Sequence, residues 1–128
     1  MGSVVNHIEY SLHPDVSAMT VGRDSALPFP VLQMHQVHDV HVAIIDNPDI
    51  TSEQLDGYDA MITNLRGLAI GVRTADCVPI LLYDPVNKAA AAVHSGWRGT
   101  VAKIIRNVIS KMSSTYATQP AELLAVIG

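Results

Sequence analysis

Two short segments carry the residue types that do chemistry. Thr74-Ala75-Asp76-Cys77-Val78-Pro79 holds the chain's one cysteine, and Val93-His94-Ser95-Gly96-Trp97-Arg98-Gly99-Thr100 follows it. Cys77 stands at the start of one apolar run and His94 ends the next, so neighbouring strand ends can bring a thiolate and an imidazole together. That pair suits two chemistries: a transition-metal site, or a cysteine nucleophile with its base. A lone cysteine beside apolar strands is also compatible with an inert core residue.

The second segment has an anion-binding logic of its own. Gly96 and Gly99 let backbone approach a ligand closely. The segment opens a helix, whose first-turn N–H groups and dipole favour negative charge. Arg98 offers a planar fork to an oxyanion. The competing reading packs Trp97 into the core and pairs Arg98 with an internal carboxylate such as Asp76 or Asp59. A further histidine series, His35, His38 and His41, imitates a three-ligand cluster. Strand side chains alternate, so His38 points away from the face shared by His35 and His41, and one strand cannot aim all three at one metal.

The elements that must position these residues are short strands and one helix. Val31–Met34 and Val40–Ile45 are β-rich runs around the histidines. Asn47-Pro48-Asp49 is a turn. Met61-Ile62-Thr63 and Leu68–Val72 flank Asn64-Leu65-Arg66-Gly67, which predicts a hairpin connection. Val78–Tyr83 is nearly all apolar, as a strand buried on both faces requires. Asp84-Pro85-Val86-Asn87 is another turn, and Ala89–Val93 is a short Ala-rich strand that predicts close packing against a neighbour. Val101, Ile104, Ile105, Val108, Ile109 and Met112 recur at the spacing of one helical face, with Thr100 as the expected N-cap. Ser113-Ser114-Thr115 weakens the helix, Pro120 lies beyond its end, and Leu123–Ile127 reads as a further strand.

Composition bounds the rest. The chain has 128 residues, 48% hydrophobic and 16% charged, which fits one globular domain over residues 1–128 with a real core. A net charge of -4 with no basic run argues against a nucleic-acid partner. The first residues show no basic, apolar leader pattern, and no apolar stretch reaches spanning length, so a cytoplasmic protein with no membrane partner is expected. One cysteine makes no internal disulfide, which suits a reducing compartment.

Asp59-Ala60-Met61-Ile62-Thr63-Asn64, Thr74–Pro79 and Val93–Thr100, with Gln36-Val37-His38 ahead of them, together resemble the YfiH family over about Val31 to Gly128. Members were long labelled multicopper polyphenol oxidases or laccases. They are described now as purine nucleoside phosphorylases with adenosine deaminase and S-methyl-5'-thioadenosine phosphorylase activity. The resemblance implies a mixed α/β (α+β) fold of layered strands and helices, similar to the catalytic domain of cytotoxic necrotizing factor toxins. It implies His38, Cys77 and His94 as metal ligands, with zinc as the cofactor and copper as the alternative. It implies purine nucleosides and inorganic phosphate as substrates. Gly96, Arg98, Gly99 and Thr100 then become the phosphate-binding group, and Cys77, His94 and Arg98 the catalytic residues. Two departures accompany it. The family's usual opening loop has no clear match before Val31, where Gly22-Arg23-Asp24 is at best a remnant. The family also normally continues past the equivalent of Gly128. The domain is therefore expected to be incomplete at its C-terminal end, with an edge near Leu123–Ile127 that a further half or another chain covers.

Bottom-up chemistry agrees with the implied ligands. Zinc accepts cysteine sulfur and histidine nitrogen, and catalytic zinc keeps a fourth position open for water or substrate. Two rivals stay open. A cysteine hydrolase would use Cys77 as nucleophile and His94 as base, but leaves His38 without a duty. A copper or redox role also fits two histidines and a cysteine, although a multicopper oxidase needs many more histidines than the 6 present.

Overall fold

In chain order the strands are β1 His7–His13, β2 Val16–Val21, β3 Leu32–Gln33, β4 Val42–Ile45, β5 Ala60–Thr63, β6 Ile70–Gly71, β7 Val78–Asp84, β8 Ala89–Ser95 and β9 Leu124–Ile127. Among the described residues one long helix, α1, spans Arg98–Tyr116. The structure is a computed structural model and describes residues 7–21, 31–33, 41–55, 58–72, 78–95 and 98–127. His35, His38, Asp76, Cys77, Gly96 and Trp97 lie outside them, as do Gly22-Arg23-Asp24, and of Arg98, Gly99 and Thr100 only the backbone is described.

Five strands form the main sheet in the order β4-β5-β8-β7-β9. β4 runs parallel to β5, and the other pairings are antiparallel. This mixed sheet with α1 against it is the layered α+β architecture expected from the sequence. The pleat sorts the side chains. Ala60 and Ile62 of β5, Ile80 and Leu82 of β7, and Ala89, Ala91 and Val93 of β8 share one buried cluster with Ile104, Val108 and Met112 of α1. Ala89 and Ala91 of β8 present only methyl groups to this cluster, so α1 packs against small side chains over that part of the sheet centre. The other face is covered by a second cluster, in which Ala43, Ile45 and Met61 of the sheet meet Leu32 and Leu55. Ile50, Tyr58, Leu65, Leu68, Ile70 and Val72 pack around it. β3 and β6 form a two-stranded parallel sheet of their own.

Three sequence expectations are corrected. The first is the hairpin across Asn64–Gly67. β5 is already bonded on one edge to β4 and on the other to β8, so no edge remains for β6, which pairs with β3 instead. The chain leaves β5 through a turn anchored at Thr63. Its buried hydroxyl donates to the Ile45 carbonyl at 2.9 Å and accepts from the Leu65 N–H at 3.1 Å, and Gly67 supplies a positive φ of 72°. The second is the helix start: α1 begins at Arg98, so Thr100 lies inside the first turn rather than at the cap. The third is the polar Ser113-Ser114-Thr115 segment, through which the helix runs on to Tyr116. Ser114 Oγ donates back to the Lys111 carbonyl at 3.1 Å and Ser113 Oγ to the Thr118 carbonyl at 2.8 Å, so both hydroxyls are satisfied without breaking the helix. It stops at Ala117, which adopts a left-handed φ of 59° and donates its N–H to the Ser113 carbonyl at 3.1 Å.

The turn after β7 is held by Asp84, which is fully buried. Its carboxylate accepts from the backbone N–H groups of Val86 and Asn87, from the Asn87 amide at 2.8 Å and from the Thr118 hydroxyl at 2.7 Å. One side chain thereby ties the β7–β8 hairpin to the end of α1. The sequence carried no expectation of the β1–β2 hairpin. It closes through Pro14 and Asp15, and its tip is tethered by a 2.7 Å ion pair between Lys88 and Asp15 and by His13 lying against the Tyr83 ring.

Candidate functional site

His94 is the expected ligand that the structure describes in full. It sits near the end of β8 and is only 4% exposed. Its position alternates with Val93, so its side chain lies on the sheet face opposite α1, the side of Ala92 and Met61. β8 is the central strand and both its edges are paired, so the backbone that carries His94 is rigidly held.

The β5–β8 ladder fixes its neighbour. One step beyond the Ala60–Val93 pair, the His94 N–H donates to the Asp59 carbonyl at 2.9 Å. Asp59 therefore stands opposite His94 on the same face, where cross-strand side chains are close neighbours. Asp59 Oδ1 lies 3.8 Å from His94 Nδ1, with the two side chains 1% and 3% exposed. That is an ion-pair separation, longer than a hydrogen bond. Asp59 is held from its other side too, since its N–H donates to the His41 carbonyl at 3.0 Å. Asp59 entered the sequence reading as part of a motif and as a possible partner of Arg98. The signal available was an acidic residue directly before the wholly buried strand Ala60–Thr63, where a carboxylate needs a polar partner, although that signal does not name His94.

On the opposite edge of β8, Pro79 pairs with His94 and Val78 with Ser95. The strand that follows Cys77 thus lies directly beside the strand that carries His94, as the order of the motifs led us to expect. Arg98, Gly99 and Thr100 form the first turn of α1, shortly after His94 in the chain. Of the histidine series, His41 has an exposed side chain. Among the described residues no group of three metal-ligating side chains converges, and two of the expected three ligands lie outside them.

The described donor nonetheless fits a metal ligand. Ligating histidines commonly donate their second ring N–H to a carboxylate, which sets the tautomer and orients the ring. Asp59 faces Nδ1, the nitrogen that such a carboxylate would engage, which would leave the lone pair on Nε2. The same pairing would orient a histidine that serves as a general base. No helix among the described residues is long and apolar enough to cross a membrane.

Comparison with known proteins adds the context. The family model described as multi-copper polyphenol oxidoreductase laccase matches residues 18–128, starting ahead of the motifs. A purine nucleoside phosphorylase of Bacteroides thetaiotaomicron is 36% identical over 110 residues, covering 81% of this chain and 41% of that protein. An adenosine deaminase from an unknown prokaryotic organism is 45% identical over 89 residues, covering 65% of this chain and 34% of that one. The crystal structure of the Bacillus licheniformis hypothetical protein YfiH superposes with a TM-score of 0.69 at 27% identity, over 77% of this chain and 39% of that one. The chain thus spans between one third and one half of the length of these relatives.

Proposed function

This chain belongs to the YfiH-type family described as multi-copper polyphenol oxidoreductase laccase, and from that premise we propose that the full-length protein is a zinc-dependent purine nucleoside phosphorylase. Adenosine deaminase and S-methyl-5'-thioadenosine phosphorylase activities belong to the same reading. Relatives named purine nucleoside phosphorylase and adenosine deaminase support it. The observation that carries it is the buried His94 with a carboxylate at its Nδ1, beside the strand that follows Cys77.

His38, Cys77 and His94 would hold the zinc, and Asp59 would orient His94. When bound, zinc supplies Lewis acidity and an activated water for attack on the purine ring. The chain's own residues do the remainder. Gly96, Arg98, Gly99 and Thr100 bind inorganic phosphate through backbone N–H groups, the helix dipole and the guanidinium, and hold it for attack on the sugar carbon. The nucleobase leaves as phosphate adds, so phosphorolysis needs that anion and deamination does not.

The test assays adenosine, inosine and methylthioadenosine with and without phosphate on the purified full-length protein, alongside metal analysis. We expect phosphate-dependent base release, phosphate-independent ammonia release from adenosine, and bound zinc. A zinc-loaded protein inert on all three nucleosides overturns the proposal. One observation also favours a second reading: Asp59 behind His94 is the orienting group that a Cys77–His94 hydrolase would use. Cys77→Ser separates the two. Loss of most bound metal supports the ligand role, whereas full metal occupancy with lost activity supports the nucleophile. Copper in place of zinc, with an intense blue colour, would support a redox role instead.

A further inference from the structure

We propose that Asp59 is the positioning residue for His94: it holds the imidazole in the tautomer protonated at Nδ1, so that Nε2 is the nitrogen that reacts. Three observations carry this. Asp59 Oδ1 and His94 Nδ1 face each other at 3.8 Å, with both side chains almost wholly withdrawn from water. Their backbones are joined by the 2.9 Å bond from the His94 N–H to the Asp59 carbonyl, so the pairing is imposed by the sheet and not by a mobile loop. Asp59 is also anchored from β4's side by the 3.0 Å bond from its N–H to the His41 carbonyl.

A carboxylate at 1% exposure is costly to bury, and the sheet register sets this one against an imidazole. What the pair supplies is direction. A carboxylate only accepts, so it selects the imidazole form that has a proton on the facing nitrogen. Separations of this kind shorten when the ring takes up its load, because a ligated or protonated imidazole is a stronger donor.

The inference rests on the reading of His94 as a working ligand or base, and its test has two arms that fail separately. The first arm is long-range proton–nitrogen NMR of the metal-free, full-length protein, under alkaline conditions that keep the ring neutral. We expect the His94 Nδ1 signal of a protonated nitrogen and the Nε2 signal of an unprotonated one. The opposite tautomer overturns the inference, whatever the metal content. The second arm is zinc affinity, measured by competition with a chromogenic chelator. We expect Asp59→Asn, folded as judged by its circular dichroism, to bind zinc about 10- to 100-fold more weakly than the unaltered protein. Equal affinity overturns the inference. No zinc binding by the unaltered protein overturns the metal reading instead, and the tautomer arm then decides this one alone.

Discussion

Asp84 shows what a single side chain can hold together. Burial pushes its carboxyl up, but hydrogen bonds from Thr118, from the Asn87 side chain and from the backbone of Asn87 and Val86 outweigh this and hold it below the usual value for an aspartate. The sign follows directly. A carboxylate with a depressed folded pKa contributes stability that is fully present above its unfolded pKa and is lost as pH falls through the folded value. We therefore expect Asp84→Asn to lower stability by about 1–3 kcal/mol near neutral pH, because the charged acceptor goes and a buried amide takes its place. The difference from the unaltered protein should shrink as pH falls below about 4, because the unfolded chain then takes up a proton that the folded carboxylate resists until a lower pH. Urea titrations of both proteins across pH check this, and a pH-independent difference would contradict it. Arg98 yields a second expectation at the same scale. Arg98→Ala should reduce phosphorolysis roughly 10- to 100-fold, the worth of a charge-assisted hydrogen bond, and reduce deamination much less. Parallel assays on adenosine read the ratio, and equal loss of both would mark Arg98 as a structural brace.

At the scale of elements, α1 ends on a strained residue. Ala117 has a φ of 59°, a conformation that costs a residue with a Cβ about 1–2 kcal/mol. Glycine adopts it freely but loses more entropy on folding. Ala117→Gly should therefore stabilise the protein by about 0.5–1 kcal/mol, seen as a small rise in melting temperature. A fall would show that the Ala117 methyl packs better than its exposed position suggests. Gly71 shows the reverse constraint. A Cβ there would come within 2.8 Å of Val31 Cγ1, where β3 and β6 lie side by side. Gly71→Ala should destabilise by about 1–3 kcal/mol, the usual cost of overpacking, as measured by denaturation. The hairpin wrongly expected across Asn64–Gly67 belongs to this scale as well. Local turn chemistry at Gly67 was readable, but which strand β6 would join depended on β4 and β8 having already taken both edges of β5.

Across the whole molecule, β9 closes one side of the main sheet. Among the described residues it pairs with β7 alone, in register from Tyr83–Leu124 to Ile80–Ile127. A strand with one bonded edge is a template for another chain. We expect the 128-residue chain to associate as its concentration rises. Sedimentation across a concentration series checks this, and a chain that stays monomeric at high concentration would show that the edge is already protected.

The sequence by itself determined the strand-rich layered class, the helix and its buried face, the turns at Asp84 and Pro48, and the family through three ordered motifs. These follow from local rules: hydrophobic period, turn residues, and residue types at short spacing. It also singled out His94, because a histidine closing one apolar run can meet the cysteine that stands beside a neighbouring one. Tertiary structure alone decided that Asp59 serves His94. The two residues are far apart in the chain and meet only because β5 and β8 pair in one register, with the His94 N–H on the Asp59 carbonyl. The partner of β6, the edge position of β9 and the docking of the β1–β2 hairpin through Asp15 and Lys88 were decided in the same way. Pairing across a sheet depends on which edges remain open, and no local pattern encodes that.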